Sequence, residues 1–221
     1  MKKIIFALFL TAVAVAAAAG QGSTDEKKVE FFVGYSRNGI DGDTDRFFAT
    51  DNNFRDPGSQ VFHGFEVAAV VNVSRYIGIK GDFSGNYEQG SFSFPVGNLT
   101  PTPRPTFAGK AKNSLYNVLA GVQIKDNQNT GTLKPFAHAL FGVGQAQTDI
   151  NATCTPQVNC VGLDLPRSDR ERGFAGAFGG GLDVRLNDHF DLRVVQFDYN
   201  PVNLKSGTLH NFRIGVGIVI K

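Results

Sequence analysis

Seven ionisable residues stand out as candidates for a working site: Glu66, Lys80, Asp82, Asp183, Arg185, Arg193 and Arg213. Each lies on the less greasy face of a stretch that alternates apolar and polar residues. Their mixed signs suit mutual ion pairing and hydrogen bonding more than nucleophilic chemistry. On a surface facing hydrocarbon, an Arg or Lys near mid-depth costs ~2–4 kcal/mol. If these stretches cross a membrane, the charges must face a closed interior.

Other residue groups have types that could carry chemistry. His138 with Glu66 or Ser84 could form a hydrolytic cluster, as in barrel enzymes that modify lipid A. Catalysis needs nucleophile, base and orienter within hydrogen-bond reach, and the sequence spacing does not fix that distance. A packed interior histidine is the simpler reading. Asp41, Asp43 and Asp45 alternate like the start of a calcium loop, but Asp-Arg-Phe-Phe follows where such a loop needs a glycine and then a bidentate glutamate. A solvated acidic loop is the simpler reading there. Gly179-Gly180-Gly181 lacks the lysine and following helix of a phosphate loop. Cys154 and Cys160 are the only cysteines. In an exported chain they are expected to form a disulfide. Their spacing does not suit zinc, and no histidine is near in sequence. No cofactor or metal is implied.

The elements that position these residues are strands. The last is the clearest: Phe212, Ile214, Val216, Ile218 and Ile220 share one face, and Asn211, Arg213, Gly215 and Gly217 the other. That period of two marks a strand whose two faces meet different surroundings. The pattern recurs over 29–37, 61–72, 76–87, 113–125, 133–148, 173–186, 190–200 and 208–220. Within 29–37, Phe32 breaks the polar face; within 133–148, Phe136 and Leu140 do the same. Asp191 and Arg193 share one parity while Asp198 has the other, which a bulge between them would reconcile. The connections after the first, third, fifth and seventh strands are the longer ones, and those after the second, fourth and sixth are short. In an up-and-down meander this puts long loops at one end and tight turns at the other, the outer-membrane pattern. A narrow eight-stranded barrel has an interior filled by side chains, so no wide pore is expected.

Residues 1–19 read as a secretory signal peptide. Lys2 and Lys3 precede an apolar run, and Ala17-Ala18-Ala19 offers a cleavage site before Gly20. Residues 20–28 form a polar, flexible entry, and 29–221 the barrel. Removing Lys2 and Lys3 from the 22 basic residues leaves 20, equal to the 20 acidic ones. The charge balance therefore gives no argument for nucleic acid. No segment after the leader is long and apolar enough for a transmembrane helix, so the chain either spans a membrane as strands or is soluble after export.

Four segments carry a family resemblance: Asn117-Val118-Leu119-Ala120-Gly121-Val122, the run from Lys134-Pro135-Phe136 to Phe141-Gly142, Leu192-Arg193-Val194-Val195-Gln196-Phe197-Asp198-Tyr199, and Phe212-Arg213-Ile214-Gly215-Val216-Gly217. They resemble the small eight-stranded outer-membrane barrels, the class of the OmpA transmembrane domain and OmpX. The resemblance implies an all-β, antiparallel, up-and-down transmembrane barrel in the cell outer membrane. It also implies contact with outer-membrane lipid and insertion by the barrel-assembly machinery. Family members often end in an aromatic residue read by that machinery, whereas this sequence ends Ile220-Lys221. The expected role is structural or surface-interacting, through four extracellular loops and without catalysis, toward an extracellular partner the sequence does not name. The alternatives are a lipid-A-modifying barrel enzyme and a soluble lipocalin-like carrier; the latter would hide the greasy faces and show the charges to water.

Overall fold

The computed structural model describes residues 29–40, 60–95, 106–155 and 167–221. The leader, the Asp41–Asp45 acidic run and Cys160 lie outside the described residues, and with Cys160 lies the expected disulfide. Ten strands run in chain order: β1 (Val29–Ile40), β2 (Gln60–Asn72), β3 (Ile77–Pro95), β4 (Thr106–Lys125), β5 (Leu133–Thr155), β6 (Arg167–Arg185), β7 (Phe190–Tyr199), β8 (Val202–Asn203), β9 (Thr208–Leu209) and β10 (Asn211–Ile220). Eight of them are long. Each pairs antiparallel with its neighbour, and β1 pairs with β10, so the sheet closes into a ring. Closure leaves no long strand with an unpaired edge.

The alternation resolves as a lipid face and a lumen face. Arg213 is fully buried, while Phe212 and Ile214 beside it are 46% and 40% exposed. Val33, Ile79, Val118, Val143 and Phe197 are likewise exposed. That is the inverse of a soluble carrier, whose apolar residues would fill the centre. Aromatic side chains gather on the outer face toward the long-loop end, with Tyr87 edge-on to Tyr116 and Phe141 stacked on Phe174. Such girdles mark the level where hydrocarbon gives way to headgroups.

Two features depart from the expected strand bounds. The β3–β4 hairpin pairs as far as Pro95↔Thr106, and β5 starts at Leu133 but runs on to Thr155. Above the girdle both faces of these hairpins meet polar surroundings, so the hydrophobic alternation that betrays a strand fades while the backbone ladder continues. The last hairpin, by contrast, is short. β8 and β9 carry on from β7 and β10, and the chain turns back through Leu204–Gly207, where Gly207 adopts φ 148°. On β6, a Cβ at Gly173 would meet the Asn203 carbonyl oxygen at 1.6 Å. Only glycine lets β8 lie this close.

The bulge is present. Leu182 pairs with Val195 and Asp183 with Arg193, so Val194 is skipped. Val194 and Val195 both face outward, and the parity of β7 changes between them. Asp191, Arg193, Gln196 and Asp198 all point inward as a result.

Candidate functional site

The lumen is the candidate site, and it is built in layers. At the short-turn rim, Asp191 pairs with Lys134 at 3.2 Å and with Lys221. Next, Lys125 lies between Glu30 (2.8 Å) and Asp183 (3.1 Å). Arg193 grips the same Asp183 through two hydrogen bonds, Nε to Oδ1 at 2.8 Å and Nη2 to Oδ2 at 3.2 Å, and donates a third to Gln196. Its guanidinium lies 4.3 Å from the Phe32 ring centre and 4.0 Å from that of Phe136. The two aromatic residues that break the polar face of their strands thus sandwich one cation, and cation–π attraction is strongest where water is excluded.

The central layer brings together Glu66, Lys80, Asp82, His138, Asp198 and Arg213. Arg213 donates to Asp198 (2.7 Å) and Asp82 (3.1 Å), and Glu66 lies 3.6 Å away. Lys80 lies 3.7 Å from Glu66 and 3.8 Å from Asp82. His138 presents Nδ1 to Lys80 at 3.4 Å and Nε2 to Asp198 Oδ1 at 2.9 Å, the latter off the line of a straight hydrogen bond. Gln196 ties Glu66 to Asp198. Buried charges persist only when paired and hydrogen-bonded. Here three carboxylates meet a guanidinium, an amine and a histidine.

Amides follow. Asn117 donates to Asn200, Asn211 to the Asn200 carbonyl, and Asn86 to Ser36. Alongside and above them lies an apolar cluster: Ile40, Phe62, Leu115, Leu119 and Leu140 from the wall, with Val202, Leu204 and Leu209 from the short hairpin. Ser206 donates to the Glu171 carboxylate through both its amide and its hydroxyl, drawing the hairpin tip against the inner face of β6.

Six of the seven residues singled out above lie in this lumen. Arg185 is placed elsewhere. It continues the inward parity of Asp183 but lies where the wall ends, bonded to the Thr130 carbonyl and paired with Asp188. Parity names a face; it does not say where the ring stops. Glu30, Lys125 and Asp198 complete the ion pairs and are not among the seven. Inward parity is the available signal for Glu30 and for Lys125, which shares its face with Gly121 and Gln123, and the bulge after Arg193 is the signal for Asp198. Of the apolar layer only Leu140 gives a signal, as a break in the polar face of its strand; the other inward leucines read like any others. Among the described residues, no set of three or more His, Cys, Asp or Glu is placed to hold a metal ion.

Comparison with known proteins agrees with the fold. The profile of the family described as "Outer membrane protein beta-barrel domain" matches residues 5–219. Among solved structures, Neisserial surface protein A superposes with a TM-score of 0.50 at 8% identity, covering 90% of this chain and 99% of that one. Ail, the attachment invasion locus protein of Yersinia pestis, gives 0.48 at 15% identity, over 89% of this chain and all of the other. No curated protein matches the sequence. The chain belongs to the outer membrane protein beta-barrel domain family and is a small outer-membrane β-barrel protein.

Proposed function

We propose that this protein is a sealed anchor that holds its long-loop end outside the cell, with a structural or surface-interacting role and no catalysis. The observation that supports it is the filling of the lumen: ion-paired layers toward the short turns and a continuous apolar layer toward the long loops. A barrel filled in this way has no aqueous path. His138 is committed to Asp198 and Lys80 beneath that apolar layer, away from any lipid headgroup. Long β3–β4 and β5–β6 hairpins rising past the girdle present a polar surface suited to contact with other molecules. Export through a leader over 1–19 and insertion by the assembly machinery complete the reading, and N-terminal sequencing of the mature chain is expected to begin at Gly20.

Peptide tags test the orientation. A tag inserted between Pro101 and Thr102 is expected to bind antibody on intact cells. One inserted between Asn129 and Thr130 is expected to bind only after the outer membrane is opened. Antibody binding with the reverse pattern overturns the proposal.

A further inference from the structure

On the outer wall of β4, β5 and β6, just above the aromatic girdle, lies a band of net positive charge among the described residues. The outward residues of β6 run Arg170, Arg172, Phe174, and those of β4 run Lys110, Lys112, Ser114, Tyr116. The register sets Arg172 beside Gln145 and Tyr116, Arg170 beside Gln147 and Ser114, and Lys112 beside Asp149. All four cations are exposed. Alternate residues on a strand are ~6.6 Å apart, so the band climbs in steps from the girdle rather than standing clear of the membrane.

How the cations are held is informative. Arg170 donates twice to the Gln147 side-chain carbonyl, at 2.8 and 3.2 Å, and Arg172 donates to that of Gln145 at 2.8 Å. Neutral acceptors fix the guanidinium planes without cancelling their charge. Among the described residues, none of the four cations forms an ion pair with a carboxylate. The one carboxylate in the band, Asp149, takes its hydrogen bonds from the neutral Ser168 (2.6 Å) and Gln147 (2.9 Å), so four cations stand against one carboxylate. Lys110 and Lys112 also line an open groove of about 470 Å³ across the outer faces of β3, β4 and β5.

We propose that this band is a binding surface for the phosphorylated sugar headgroup of an outer-leaflet glycolipid. The partner follows from position and charge. The surface is continuous with the apolar belt that meets acyl chains, so a ligand seated on it has hydrocarbon below and an anionic headgroup at the height of the arginines. Oriented guanidiniums match phosphate through paired N–H donors, and lysines add point charge. Clustered basic side chains at a membrane surface recognise anionic headgroups in this way. The inference rests on the long-loop end facing outward, since only there does the band meet the outer leaflet.

The full chain, reconstituted in phosphatidylcholine vesicles containing bisphosphorylated lipid A and then moved to mild detergent, is expected to retain lipid A by native mass spectrometry. Lipid A stripped of its phosphates is expected to be retained at least about tenfold less. A variant carrying K110Q, K112Q, R170Q and R172Q is expected to lose retention by at least about tenfold. R75Q, at the opposite end of the barrel, is expected to bind like the wild type. Equal retention of stripped and phosphorylated lipid, or undiminished retention by the fourfold variant, overturns the proposal. The comparison of the two lipids uses the unaltered chain, so it decides the matter even if the fourfold variant does not fold. Vesicle retention is read regardless of orientation in the cell, so its failure is distinct from a reversed tag pattern.

Discussion

The two halves of the lumen are filled by opposite chemistry. Toward the short turns the wall presents carboxylates, ammonium groups and guanidiniums that neutralise one another. Toward the long loops it presents leucine, isoleucine, valine and phenylalanine, with the short hairpin closing over them. Both fill the lumen with side chains, but they respond differently to damage. An ion-paired layer is cooperative: removing one partner strands another charge in a medium that cannot solvate it. An apolar layer loses a contact and some volume, and its neighbours partly relax into the gap.

The sharpest break of that comparison is R213M. It leaves Asp82, Asp198 and Glu66 facing one another with Lys80, His138 and the neutral Gln196 as their partners. We expect a loss of about 3–5 kcal/mol, read as a lower urea midpoint for the heat-modifiable folded form. Next comes a double-mutant cycle on Asp183 and Arg193. D183L alone strands Arg193 and half-strands Lys125, and R193M alone leaves Asp183 with one cation instead of two. The double variant keeps Lys125 paired with Glu30. Its loss is expected to be smaller than the sum of the singles by about 1–3 kcal/mol; strict additivity would show that these charges do not act as a unit.

In the apolar half, L209A removes a fully buried side chain at the hairpin. The expected cost is about 2–3 kcal/mol, the lower part of the range for such truncations, because a short hairpin can settle. Combined with L115A it is expected to be nearly additive unless the two share one cavity.

These contrasts explain what the sequence could reveal. Alternation across the long strands made the ring and its lumen face legible, because charge on one parity and hydrocarbon on the other has few solutions. The clash of parity between Arg193 and Asp198 announced the bulge. The seal was not legible. Leu140 breaks the polar face of its strand, but nothing marks Leu115 or Leu119 as part of a plug, and Val202, Leu204 and Leu209 occupy what reads as a polar turn and the start of a strand. Phe32 and Phe136 were recognised as misfits, but what they enclose depends on Arg193 arriving from a distant strand. The hairpin extensions to Pro95 and Thr155 were hidden because a strand wetted on both faces shows no alternation.

The smallest effect belongs outside both layers. In the short turns, the hydrogen bond from Arg75 holds the Asp126 carboxyl below its ordinary value of 3.8. A lowered folded value means that the contribution is complete above the ordinary value and fades as pH falls through the lowered one. The Gln128 amide, which donates to Asp126 at 3.2 Å, reports this directly. Its NMR shift is expected to titrate with a midpoint below 3.8, and D126N is expected to abolish the titration while leaving the lumen undisturbed.

The central claim is that both halves of the lumen are closed, and conductance of the purified wild-type protein in planar bilayers tests it most directly. The expected result is a quiet membrane with no steady current steps at moderate voltage. Large, uniform and persistent single-channel steps would mean that the charged and apolar layers enclose an open water path, and would contradict it.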